Sequence, residues 1–160
     1  TLLARGFYYS NPFGSVGPLP PKVDQETTYA ILFTVKNTSN KIKDATVVAE
    51  LPSYVRWIGV YSPAQESLTF NGLDGVVEWK IGDLLEGIGI GGSMPRDVAF
   101  LVGFTPSQSQ VGQQPSLIKN ISLTGTDTFT EKPATVGHKA VDTNLIYDSG
   151  FSALEANVVE

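Results

Sequence analysis

Apolar and polar residues alternate with a period of two along most of this chain. In Thr27–Asn37 the residues Tyr29, Ile31, Phe33 and Val35 fall on one side, with Thr28, Thr34 and Lys36 on the other. That is the pattern of a strand with one face in a core. Asp97–Thr105 repeats it with Val98, Phe100, Val102 and Phe104 inward, and Val76–Ile81 with Val77, Trp79 and Ile81 set against Glu78 and Lys80. These three segments are the predicted core strands. Weaker alternation over Asp44–Leu51, Val55–Val60 and Ser67–Asn71 predicts strands nearer an edge, while Leu2–Tyr9, Leu117–Thr124 and Thr135–Leu145 complete the set.

The segments between these runs carry turn chemistry. Asn37-Thr38-Ser39-Asn40, Asn71-Gly72-Leu73-Asp74-Gly75 and Gly91-Gly92-Ser93-Met94-Pro95 supply residues that tolerate positive φ or stop strand pairing. No segment sustains a helical period; only short turns near Pro63–Glu66 and Asp83–Glu86 are candidates, too short to persist alone. The expected fold is therefore all-β, an antiparallel sandwich of about seven to nine strands.

Residues 1–26 read as an N-terminal strand with a Pro/Gly-rich lead-in, where Pro12, Pro18, Pro20 and Pro21 stiffen Asn11–Lys22. Residues 27–147 form the predicted sandwich. Residues 148–160 form a tail whose Val158 and Val159 could dock on an edge, the whole making one structural domain. The first residue is Thr1 and not Met, so the chain reads as a processed product or a piece of a longer one.

Composition narrows the partners. With 160 residues and 41% hydrophobic content, one core suffices. The net charge is −5 and no basic run tracks a phosphate backbone, so nucleic acid is not an expected partner. No apolar stretch nears the ~20 residues of a helical span, so no direct membrane insertion is expected. The absence of cysteine removes disulfides, thiolate nucleophiles and zinc–thiolate sites from this sequence.

From Thr27 to about Leu145 the chain resembles the immunoglobulin-like conserved repeat domains of large bacterial surface proteins. The resemblance lies in ordered pieces: the Val35–Ser39 turn, Leu51-Pro52, the strand Val77–Leu84 closed by Gly87, the aromatic strand Val98–Phe104, and Ile118–Leu123. It implies an immunoglobulin-like sandwich, a place at a bacterial cell surface or among secreted proteins, and a role in extracellular stalks without assigned chemistry. The partners it implies are other domains or copies of the same surface protein, or a surface glycan or protein.

Reactive groups are scarce. His138 is the single histidine and alternates with Val136 and Ala140, as an edge-strand residue would; a triad or an imidazole metal site lacks its other members. Asp74, Asp83, Glu86, Asp97, Asp127, Glu131 and Asp142 show no diagnostic spacing, and turn chemistry accounts for Asp74 and Asp83. Gly87, Gly89, Gly91 and Gly92 lack the Lys-Ser/Thr ending of a phosphate loop. No cofactor is expected, and the one metal that loop oxygens could hold is a structural calcium.

Exposed aromatics remain as binding candidates: Tyr54, Trp57 and Tyr61 around Arg56, and Tyr8 with Tyr9 in the first strand. An intramolecular Lys36–Asn120 isopeptide bond, with Glu50 or Glu78 as catalyst, is a further possibility. The expected protein is not an enzyme but a structural or adhesive surface module, with a carbohydrate-binding module using those aromatics as the alternative.

Overall fold

The computed structural model describes every residue from Thr1 to Glu160. Ten strands follow one another in the chain: β1 (Leu2–Phe7), β2 (Thr27–Val35), β3 (Ile42–Glu50), β4 (Val55–Ser62), β5 (Ser67–Asn71), β6 (Val76–Leu84), β7 (Arg96–Phe104), β8 (Ser116–Asp127), β9 (Pro133–His138) and β10 (Val141–Asp142). They form two antiparallel sheets. One has the order β1-β2-β7-β4; the other runs β10-β8-β3-β6-β5, with β9 also paired to β8.

The order β1-β2-β7-β4 matches the A-B-E-D sheet of an immunoglobulin domain, and β3-β8-β9 matches its C-F-G sheet. The fold is thus the expected immunoglobulin-like sandwich. The β5–β6 hairpin widens the second sheet beyond β3. The single predicted strand Thr135–Leu145 is two strands, because Lys139 and Ala140 pair with nothing between His138 and Val141. Neither short helix candidate forms: Asp83 lies inside β6, and the two helical turns that do occur are 3-10 turns at Gln108–Gln110 and Ala153–Glu155.

The period-two positions become the core. Tyr29, Ile31, Phe33, Val35, Val77, Trp79, Val98, Phe100, Val102 and Phe104 are all fully buried, and burying a large apolar side chain stabilises the fold by about 1.5–3 kcal/mol. One expectation is corrected. Asp44–Leu51 was expected near an edge, yet β3 sits between β6 and β8 at the centre of its sheet. Its inward residues Ala45, Val47 and Ala49 are small, which weakens the hydrophobic pattern while leaving room for bulky rings in the same 26-residue core.

Both terminal segments are tied into this core. Leu2, Ala4 and Val158 belong to it. The lead-in is pinned by paired bonds between Val16 and Thr28, by Tyr8 Oη donating to the Gly17 carbonyl (2.7 Å) and by Thr27 Oγ1 donating to Pro18 (2.6 Å). At Gly17 the backbone has φ +94°, and a Cβ there would strike the Glu26 carbonyl, so only glycine allows this approach. Val159 bonds Pro21 and Val23, while Val158 bonds Gly112 and Gln113. Thr1 exchanges hydrogen bonds with Lys36, just past the end of β2, whereas Val159 lies beside Lys22 and Val23, just before its start. The two therefore sit at opposite poles of the sandwich, separated by roughly 30 Å of strand.

Candidate functional site

The six binding candidates do not converge. Tyr8 and Tyr9 follow β1, while Tyr54, Arg56, Trp57 and Tyr61 lie on or next to β4, at the opposite edge of the same sheet with β2 and β7 between. Strand alternation also separates Arg56 from Trp57. Trp57 turns inward, stacked on Phe70 of β5 with centroids 5.3 Å apart and 19° between planes, and tilted against Phe100 at 5.3 Å. Tyr54 meets Phe104 edge-on at 5.6 Å, and Tyr61 packs against the core as well. Burial pushes the Tyr54 hydroxyl pKa up. Trp57 thus closes the open side of the sandwich between the β4 and β5 edges.

Arg56 points the other way. Its Nε and Nη2 donate to Glu26 at 2.9 and 2.8 Å, a fork-to-fork pair that holds the Glu26 carboxyl below its ordinary range. Glu26 in turn lies directly over Gly103, where any Cβ would meet its carboxylate. On the far side, Tyr8 packs edge-on against Tyr9 (5.1 Å) and Tyr29 (6.2 Å). Tyr9 is half exposed and donates to Glu155 Oε1 at 2.6 Å, a bond that raises its pKa.

Two polar knots stood out in no sequence pattern. Asp148, only 4% exposed, accepts at Oδ2 from the Tyr8 and Tyr9 N–H groups (both 2.7 Å) and at Oδ1 from the Ser10 N–H (3.2 Å) and Oγ (3.0 Å). It clamps the end of β1 to a residue about 140 positions away. Glu66, in the β4–β5 turn, accepts from the Trp79 indole Nε1 (2.8 Å) on one sheet and from Arg96 Nε and Nη2 (2.8–3.2 Å) on the other. This half-buried pair ties the two sheets together. A lone Asp or Glu in a turn carries no local signal of a partner that distant in sequence, so neither knot could be read from spacing.

The remaining chemistry is local. His138 Nδ1 lies 2.7 Å from the Lys139 carbonyl, with no carboxylate bonded to the ring. Asp127 accepts from the Thr130 and Phe129 N–H groups and from Asn40, which together lower its pKa; Asp83 is lowered chiefly by its bond to Lys41. Asp74 and Asp142 each accept from the N–H two residues on. No three of the His, Asp and Glu side chains gather closely enough to hold a metal ion. The proposed isopeptide partners are not brought together. Asn120 stands exposed at a bulge with φ +52° and donates to Glu50 at the end of β3, whereas Lys36 lies at the opposite pole under Gly89. A groove of about 140 Å³ runs between Ala4–Gly6 of β1 and His138–Asp142, floored by Leu145.

No protein-family model matches the chain, and no curated protein does. Among solved structures, the major pilin subunit BcpA of Bacillus cereus is similar with a TM-score of 0.54 and 11% identity, over 89% of this chain and 39% of that one. An uncharacterized immunoglobulin-like protein from Nocardia farcinica matches at a TM-score of 0.34 and 16% identity, over 77% of this chain and 81% of that one. A DUF4466 family protein from Parabacteroides merdae matches at 0.32 and 13%, over 89% and 44%. This chain thus spans about two fifths of the pilin subunit. At 11% identity that likeness is one of fold.

Proposed function

We propose that this chain is a non-catalytic structural module of a bacterial cell-surface or secreted protein, spacing or presenting a surface for other domains or copies. The observation that carries this reading is the path of the chain from pole to pole. The segments at Thr1 and Val159 lie at opposite poles of the sandwich, and both are bonded into one core. Tension between those points slides β1 along β2. Antiparallel bonds lie perpendicular to the strands, so this load shears the whole Leu2–Phe7 ladder together and does not open it bond by bond. The likeness of fold to a bacterial pilin subunit supports the same reading. The side chains able to do chemistry support it too, since Glu66, Asp148, Arg56 and Trp57 are engaged within the fold. The carbohydrate-binding alternative has no such support, because Tyr54, Trp57 and Tyr61 pack inward.

Single-molecule force spectroscopy on a tandem array linked through residues 1 and 160 tests the proposal. Each copy is expected to unfold in one cooperative event, at a force well above that of the same domain pulled through Thr1 and Asn40, which lie at the same pole so that β1 peels off β2 bond by bond. Equal or lower resistance along the 1–160 axis would overturn the spacer reading.

A further inference from the structure

The outer face of the β1-β2-β7 sheet carries a pattern that the spacer role does not use. The register sets three rows across it: Leu3, Thr34, Asp97; Arg5, Leu32, Ala99; Phe7, Ala30, Leu101. Their neighbours in sequence, such as Ala4, Phe33 and Phe100, are in the core, so these side chains face away from the second sheet. Six of the nine are apolar; Ala30, Thr34 and Ala99 are buried, and the other six are half-buried. Exposed apolar side chains border the face at both poles. Val16 lies beside Thr28 at one end, and the loop bearing Ile90 and Met94 packs on Lys36 through Gly89 at the other.

Two charges stand in this apolar field without an opposite charge beside them. Arg5 Nη2 donates to Thr34 Oγ1 at 2.9 Å and the guanidinium lies over the Phe7 ring at 5.7 Å, yet its Nε is shielded from solvent and bonded to nothing. Asp97 Oδ1 is likewise shielded and unbonded. Neither residue takes part in any ion pair of the chain. A charge half-removed from water is costly, and an opposite charge brought to the part of each side chain that solvent still reaches offsets that cost.

We propose that this face is a self-association surface on which Arg5 of one copy pairs with Asp97 of a second. The occupant is set by charge complementarity. Arg5 and Asp97 lie on strands either side of β2, so a two-fold axis running between two such faces brings each Arg5 opposite the other copy's Asp97, and the contact forms twice. An apolar centre with Arg among it is the usual composition of such an interface. A face three strands wide is small, so the pair is weak and reversible.

Sedimentation equilibrium of the isolated chain tests this, with charge inversion as the probe. Wild type is expected to form dimers as concentration rises towards about 1 mM, the range of weak specific association. Arg5→Asp or Asp97→Arg alone should each weaken dimerisation by at least about thirtyfold, as opposing like charges at a contact do, and the double variant should restore it. A wild type that stays monomeric throughout overturns the proposal, as do single inversions without effect or a folded double variant that fails to recover. Amide chemical-shift changes on dilution give an independent reading should an inversion unfold the chain. Shifts on β1, β2 and β7 support the pairing, and shifts confined to the β4 and β5 edge overturn it. A monomeric chain that still resists tension along its axis would sink this pairing while leaving the spacer role intact.

Discussion

Replacing Asp148 with Ala should destabilise the fold strongly for a substitution outside the strands. The carboxylate is 4% exposed and accepts four hydrogen bonds, three from consecutive backbone N–H groups at the end of β1. Bonds to a charged acceptor contribute roughly 1.5–3 kcal/mol each. Their donors are only partly buried, so water entering the truncated site recovers much of this, and the expected net loss is about 3–4 kcal/mol. For a domain of this size that lowers Tm by about 10 °C. Asp148→Asn keeps an oxygen for Tyr8 and Tyr9 but turns an amide NH2 towards the Ser10 N–H, so it should lose about half as much. Urea unfolding followed by tryptophan fluorescence measures both, with an unchanged m-value as the check that the transition remains two-state. A loss under about 1 kcal/mol for Asp148→Ala would refute the view that this clamp, and not the β1 ladder alone, holds the first strand.

Glu66→Ala leaves the Trp79 indole and the Arg96 guanidinium without their shared acceptor, so a loss of about 2–4 kcal/mol is expected in the same assay; Glu66→Gln should retain part of it. Tyr29→Phe should be neutral or stabilising, because the Tyr29 hydroxyl is buried with no bonding partner and its burial already drives its pKa up; marked destabilisation in thermal melts would reveal a partner the hydroxyl depends on. The Glu26 carboxyl is lowered from its ordinary 4.5 in the fold by Arg56. Its contribution is fully present above that value and is lost as pH falls through the depressed folded one, so Glu26→Gln should flatten the acid limb of a stability–pH profile. Intact mass should show no loss of ammonia, since Lys36 and Asn120 lie at opposite poles; a chain lighter by one ammonia would contradict that placement.

The strands were legible because their cause is local. A side chain on a pleated strand faces a core or solvent according to parity alone, so Tyr29-Ile31-Phe33-Val35 and Val98-Phe100-Val102-Phe104 declare both the element and its buried face. Where the inward residues are small, as in β3, the same rule spoke faintly, and the centre of a sheet read as an edge. The aromatic candidates show the opposite limit. Trp57 is no less apolar in a sugar-stacking patch than in a plug between β4 and β5, and only the position of Phe70 decides between them.

By itself, then, the sequence determined an all-β chain, its strand faces, its turns and its poverty of reactive side chains, since each depends on residue type and on neighbours one or two positions away. The tertiary structure alone decided which strands adjoin. That decision set Asp148 against Tyr8 and Tyr9, placed Glu66 between Trp79 and Arg96, and left Arg5 and Asp97 unpaired on one apolar face. Such contacts join residues tens of positions apart, and the free energy that selects them is the burial of a common core, which no short stretch of sequence contains.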